Sequence, residues 1–268
     1  MANKNIALFW PGDYRDKPNE WALPGVEGAT RQLENALKKL GYSPYRVEGF
    51  ISKPHQSIER LGPIDDPVIG VCTHWLYGPH TTDGVVGKDT PLLLASNFSG
   101  QWPGLVGLLN TGACLESVNR KFSRVWTDAG DWTTDENFMS RLDEWCSTGN
   151  ISYSEADLSY QATISPEAAV IAKSVEEGIR SRRVLALMFG DTSMGMINGY
   201  FGPRLLNPIG FTEHKVDQAW LIDRGRDVTD RRIEAAYRFV LEHGVEFHYR
   251  ETGAEDFDEN ATKEQLRD

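Results

Sequence analysis

The sequence predicts an α/β fold built on a parallel sheet. Short apolar runs alternate with helix-period segments from one end of the chain to the other, which is typical of strand–helix–strand units. The 268 residues, 40% hydrophobic and 10% aromatic, suffice for one large or two modest domains with a sizeable core. The 25 glycines and 13 prolines are spread rather than periodic, so collagen-like repeats and disorder of the whole chain are excluded.

Five strands and three helices are predicted in the first part of the chain. Across residues 26–40 the apolar positions fall three and four apart, and Gly41 lies where a C-terminal cap belongs, so a helix is predicted there after a polar loop. Thr133 and Glu136 form a capping-box pattern at the start of another helix. A third helix is predicted at 103–119, where small residues let a neighbouring backbone approach. The five strands are predicted at 6–10, 45–47, 67–73, 91–95 and 124–127.

A second strand–helix–strand unit is predicted in the last hundred residues. Ser165 and Pro166 are an N-cap followed by proline at the first helical position, which begins a helix to about Arg180. Residues 183–189 are predicted to form a buried parallel strand, 213–220 a second strand and 227–244 an amphipathic helix. We therefore expect an amino-terminal α/β domain over 1–165 and a partial second α/β domain over 166–268, too short to close by itself.

Charge and cysteine content restrict the class of protein. A formal net charge of -11 repels phosphate backbones, which argues against nucleic acid as a partner. No apolar run reaches the roughly 18 residues that a membrane span needs, and the start of the chain lacks a signal-peptide pattern, so we expect a cytoplasmic protein. Cys72, Cys114 and Cys146 match neither a disulfide framework nor a zinc pattern and are expected to be buried free thiols.

The segment 72–83 is the main candidate for a binding site. It leaves the carboxyl end of a predicted strand, where open α/β sheets bind ligands, and its aromatic side chains with His74 and His80 suit a polyhydroxylated ligand. The simpler alternative is a packed loop with one or two exposed histidines. His74, His80 and Asp83 match no specific metal template, and solvated or neighbour-bonded histidines are favoured over a metal site. The segment 190–195 is predicted to be a tight turn rather than a phosphate loop.

Several segments together resemble the L-fucose isomerase family and its arabinose-isomerase-like relatives, which interconvert aldoses and ketoses. The closest local match is residues 75–83, Trp-Leu-Tyr-Gly-Pro-His-Thr-Thr-Asp, which is similar to the family's Trp-x-Tyr-Gly-x-x-Thr-x-Asp loop. Further agreements, collinear over nearly the whole chain, lie at 102–104, at 193–196, at 216–218, in the helix at 227–243 and at the aromatic residues 247–249.

The resemblance implies two Rossmann-like α/β domains followed by a carboxyl-terminal domain, of which this chain would contain the first and part of the second. It implies manganese held by a Glu, an Asp and a His that lie downstream, with carboxylates moving the proton of a cis-enediol intermediate. No catalytic or metal role is therefore expected in this chain. By the same resemblance, Trp75 and, through the loop after the first strand, Arg15 are expected to contact a sugar bound in a neighbouring subunit of a hexamer.

The sequence thus favours the amino-terminal portion of a metal-dependent aldose–ketose isomerase of the L-fucose/D-arabinose or L-arabinose type. The chain alone is expected to be inactive and to bind no manganese tightly. The alternative is a non-catalytic sugar-binding or regulatory α/β module. A nucleotide-dependent oxidoreductase is disfavoured because the chain has no G-x-G-x-x-G fingerprint.

Overall fold

A computed structural model describes residues 4–97, 104–154, 163–190, 196–245 and 263. The chain divides into two compact units. The first unit contains Met1–Thr163 and Thr192–Tyr200, and the second contains Ile164–Asp191 and Phe201–Asp268. Most of the turn at 190–195, the aromatic residues 247–249 and the Trp–Pro pair at 102–103 lie outside the described residues.

The first unit is built on a five-stranded, all-parallel sheet, which confirms the predicted α/β class and gives a Rossmann-like arrangement. The strand order is β2-β1-β3-β4-β5, so the direction of winding reverses between β1 and β3. In doubly wound sheets this reversal opens a crevice at the carboxyl ends of the two strands. The strands are β1 (Asn5–Pro11), β2 (Ser43–Ile51), β3 (Val68–Cys72), β4 (Leu92–Asn97) and β5 (Ser123–Thr127).

Helices cover both faces of this sheet. Alternate residues of β1 enter two different cores: Leu8 packs with Val26 and Phe138 on one face, and Phe9 packs with Leu108 on the other. The result is a three-layer α/β sandwich. Its helices are α1 (Asp16–Lys39), α2 (Pro54–Leu61), α3 (Pro79–Thr82), α4 (Gly104–Ser117) and α5 (Glu136–Thr148), with a short 3-10 turn at Trp132–Thr134.

Helix α1 begins at Asp16, ten residues before the predicted start at Val26. The sequence suggested a polar loop here because the first turns carry few apolar residues. Asp16 favours the positive end of the helix dipole, and Pro18 is tolerated in the first turn, where its missing N–H has no helical partner. Strand β2 is likewise longer than predicted because most of its side chains are exposed or half-buried at the sheet edge, which weakens the apolar signal.

The second unit pairs two parallel strands, β6 (Val184–Phe189) and β7 (Phe211–Val216). Ser165 caps helix α6 by accepting a hydrogen bond from the Ala168 N–H, as its sequence predicts. Strand β7 ends earlier than predicted because a helix begins at Ala219. The helices are α6 (Pro166–Arg182), α7 (Gly202–Leu206), α8 (Ala219–Gly225) and α9 (Asp230–Glu242).

The parallel strand predicted at 183–189 is confirmed as β6, but the prediction that it is buried is wrong. Leu185 is 60% exposed and Leu187 is 52% exposed, whereas intervening residues of β6 are half-buried. Within the described residues β6 pairs only with β7. The alternating exposure along β6 shows that the face carrying Leu185 and Leu187 is not covered by a layer of described residues. Ile233 and Tyr237 of α9 are the buried large apolar side chains of this unit in the described ranges.

The three cysteines are free and buried, as predicted. Burial raises the pKa of Cys72 and of Cys146 to about 12 and that of Cys114 to about 11. In the part of the chain that the structure describes, no helix combines the length and the apolarity required to cross a membrane.

Candidate functional site

The carboxyl ends of β1 and β3 bring two loops together at the point where the winding of the sheet reverses. The loop after β1 runs from Gly12 to Arg15, and the loop after β3 begins at Thr73. They are joined by a main-chain hydrogen bond of 3.2 Å from the Tyr77 N–H to the Gly12 carbonyl oxygen. The two residues that the resemblance selects, Arg15 and Trp75, therefore lie on adjacent loops at the switch point, the position of the binding crevice in doubly wound sheets.

An ion pair fixes Arg15 in this crevice. Its Nε donates to Asp13 Oδ1 at 2.9 Å and its Nη2 donates to Asp13 Oδ2 at 2.7 Å, and the Arg15 main-chain N–H also donates to Oδ1. The Asp13 side chain is fully buried, whereas the Arg15 side chain is 51% exposed. The hydrogen bonds and then the charge of Asp13 raise the pKa of Arg15. Arg15 thus presents a permanently charged, oriented guanidinium to the crevice.

Asn19, in the first turns of α1, holds the main chain of the same loop. Its Oδ1 accepts from the Asp13 N–H at 2.8 Å, and its Nδ2 donates to the carbonyl oxygens of Asp13 and Arg15 at 2.7 and 3.1 Å. The asparagine is itself buried. The sequence pattern does not single out Asn19, because it predicts a polar loop at this position. The structure instead places Asn19 in α1, which begins at Asp16.

Aromatic rings line the crevice beside the guanidinium. Tyr14 meets Tyr77 edge to face with ring centroids 4.8 Å apart, and Trp75 meets Tyr77 in the same way at 6.2 Å. The Arg15 guanidinium lies 5.6 Å from the Tyr14 ring. Tyr77 is buried, while Trp75 is partly exposed and Tyr14 is exposed. Two of these rings therefore remain accessible to a ligand.

Both histidines of the loop have ring nitrogens without a hydrogen-bond partner among the described residues. His74 is buried; its Nε2 lies 3.3 Å from Asn19 Oδ1, and its Nδ1 has no hydrogen-bond partner among the described residues. Burial lowers the pKa of His74 to about 4, which corrects the alternative of an exposed histidine at this position. In the same ranges neither ring nitrogen of His80 has such a partner, and burial lowers the pKa of His80 as well. Burial therefore favours the neutral form of both rings.

Helix α4 packs directly against the loop after β3. A Cβ on Gly107 would overlap the His74 carbonyl oxygen, and one on Gly104 would lie 2.8 Å from the Cys72 carbonyl oxygen. Asn110 on the same helix accepts from the Gly78 N–H at 2.8 Å. The prediction that small residues in this helix permit close packing is confirmed, and they determine the path of the candidate loop.

The described residues do not fit a manganese site. Over the described ranges no three His, Cys, Asp or Glu side chains cluster in a way that could hold a metal ion, and His74, His80 and Asp83 form no such group. Both carboxylate oxygens of Asp13 are already bonded to Arg15.

The fold and the crevice define this chain as an α/β protein with a polar and aromatic candidate binding site at the switch point of a doubly wound sheet. No family model matches the chain, and no curated protein matches its sequence. The residues of the site are therefore the basis on which a function can be proposed.

Proposed function

We propose that this chain is the amino-terminal portion of an aldose–ketose isomerase of the fucose or arabinose type and that the crevice between β1 and β3 supplies a wall of the sugar site. The isomerase itself would be a cytoplasmic homo-oligomer, a hexamer by resemblance. Within this proposal Arg15 and Trp75 are substrate-binding residues, and no residue of the chain is assigned a catalytic role.

The observation that carries the proposal is the oriented guanidinium of Arg15 beside accessible aromatic rings. Sugars combine hydroxyl groups, which accept and donate hydrogen bonds, with C–H faces that pack on aromatic rings. Arg15 can donate to sugar hydroxyl oxygens without losing its bonds to Asp13, because a guanidinium has five N–H groups. The partly exposed indole of Trp75 offers an apolar surface to the C–H groups.

Manganese, when bound in the isomerases that the sequence resembles, supplies polarisation of the sugar oxygens during proton transfer. We assign no manganese ligand among the described residues. The role of this chain in the proposal is to bind and orient the sugar: Asp13 orients Arg15, and Tyr77 packs edge to face with Tyr14 and Trp75.

Calorimetric titration of the chain with L-fucose, D-arabinose and L-arabinose tests this assignment. Arg15→Ala and Trp75→Ala are each expected to weaken sugar binding about tenfold, the effect of losing one hydrogen-bonding or stacking group. Arg31→Ala and Trp126→Ala are the matched controls, since Arg31 is an exposed arginine of α1 and Trp126 an exposed tryptophan of β5. Equal effects of site and control variants would contradict the proposal.

A sugar-binding or regulatory module is the second candidate, favoured by the fact that Arg15, Trp75 and Tyr77 all lie in one unit of one chain. The same titration separates the two. Micromolar binding by the monomeric chain supports the module, whereas binding that requires an oligomer supports the isomerase wall. Ketose formation by this chain alone, increasing with added manganese, would refute the expectation that the chain is inactive by itself.

A further inference from the structure

The amide of Asn19 has only one orientation that satisfies its neighbours. Its nitrogen faces two carbonyl oxygens, those of Asp13 and Arg15, and its oxygen faces the Asp13 N–H. Exchanging the two amide atoms would place an oxygen against two carbonyl oxygens. The Asn19 atom that lies 3.3 Å from His74 Nε2 is therefore an acceptor.

This orientation fixes the hydrogen on the imidazole. Since Asn19 Oδ1 can only accept, His74 Nε2 must carry the hydrogen and donate it, and the neutral ring then has an unprotonated Nδ1. Nδ1 has no hydrogen-bond partner within the described ranges, which agrees with this assignment because no acceptor there calls for a hydrogen on that atom. His74 thus acts on the loop after β1 through its Nε2–H.

We propose that His74 is a positioning residue of the crevice, which through Asn19 holds the loop after β1 so that Asp13 orients Arg15. The hydrogen bonds run from His74 on the loop after β3, through the Asn19 side chain on α1, to the main chain of Asp13 and Arg15. This network couples the two loops by side chains, in addition to the main-chain bond from Tyr77 to Gly12. The inference rests on the proposed function only for its effect on sugar affinity.

Nitrogen-15 NMR of the imidazole and guanidinium groups tests the network without a sugar. In the wild-type chain we expect a protonated Nε2 and an unprotonated Nδ1 in His74, and a slowly exchanging Nε–H in Arg15. His74→Leu should remove the protection of the Arg15 Nε–H, whereas His74→Gln should keep it, because the glutamine amide can donate from about the position of Nε2. His55→Leu, at an exposed histidine of α2, is the matched control.

Sugar affinity supplies the second readout. His74→Leu should weaken binding of the tightest of the three sugars about tenfold, the effect of one buried hydrogen bond. In an Arg15→Ala background the same change should have no further effect, because His74 acts through Arg15. A protonated Nδ1, an Arg15 Nε–H unaffected by His74→Leu, or additive effects of the two changes would each overturn the inference. Failure of all three sugars to bind to both the monomeric and the oligomeric chain would count against the proposed function alone, since the NMR readouts contain no sugar.

Discussion

The Arg15 guanidinium and the Asp13 carboxylate form a two-bond ion pair whose two ends lie in different environments. The carboxylate is fully buried and the arginine side chain is 51% exposed. A buried charge that loses its partner is costly, whereas an exposed one is solvated by water. Removing the Arg15 side chain and removing the Asp13 carboxylate should therefore have different effects on stability.

Removal of Arg15 is expected to destabilise the first unit more than removal of both partners. Arg15→Ala removes the ion-pair partner of the buried Asp13 carboxylate, which among the described residues then keeps only the hydrogen bond from the main-chain N–H of residue 15, and this unpaired charge should lower the free energy of unfolding. Asp13→Asn combined with Arg15→Ala removes the charge as well and should recover part of that loss. Urea denaturation of the two variants and the wild type measures the difference. A double variant less stable than Arg15→Ala would contradict this explanation.

Gly107 of α4 is expected to tolerate no side chain. A Cβ there would overlap the His74 carbonyl oxygen, and two backbone segments would have to separate. Gly107→Ala should cost about 1–3 kcal/mol and lower sugar affinity, because overpacking displaces the loop after β3. Gly28→Ala in the middle of α1 is the control, since a Cβ at Gly28 would meet no atom within 4 Å and alanine favours a helix. Thermal unfolding of both variants should show shifts of opposite sign.

The sequence predicted that segment 72–83 follows a strand, but it did not predict the hydrogen bonds of the candidate site. Hydrophobic patterning placed segment 72–83 after a strand, and β3 indeed ends at Cys72. Only the family resemblance selects Arg15 as a site residue. The pattern of apolar residues does not indicate its ion pair with Asp13. Asp13 and Asn19 are buried polar residues whose partners come from tertiary structure, and apolar periodicity carries no information about such partners.

The fold was predictable where both faces of an element are buried. Strand β4 is apolar over most of its length, and its start is predicted within one residue, whereas only a third of the length of edge strand β2, whose side chains are mostly exposed or half-buried, is predicted. The opposite error occurred in β6. Its continuous apolar sequence is typical of a strand buried on both faces, yet Leu185 and Leu187 are exposed, because an apolar run reports burial only when neighbouring layers are present.

The buried cysteines should react only when the first unit opens. Burial raises the thiol pKa of Cys72 to about 12, so the reactive thiolate is scarce at neutral pH, and the side chain is also inaccessible. We expect no labelling of Cys72 or Cys146 by a disulfide reagent at about pH 8 under native conditions, and labelling of all three thiols in denaturant. The urea dependence of the labelling rate should follow the unfolding curve of the unit. Rapid labelling of native protein at Cys72 would contradict its burial.

The lowered pKa of His74 predicts that the folded chain loses stability on mild acidification. Its pKa of about 4 in the folded chain is below the ordinary histidine value of 6.5, because burial outweighs the attraction of the Asp13 carboxylate. Between these two pKa values the unfolded chain binds more protons, so stability is complete above about pH 6.5 and is lost as the pH falls toward 4. The loss attributable to His74 should approach about 3 kcal/mol, and His74→Gln should remove it. Denaturation curves at about pH 7 and about pH 4.5 measure the loss of stability in the wild type and in His74→Gln. If the variant shows the same pH dependence as the wild type, the acid sensitivity belongs to other groups.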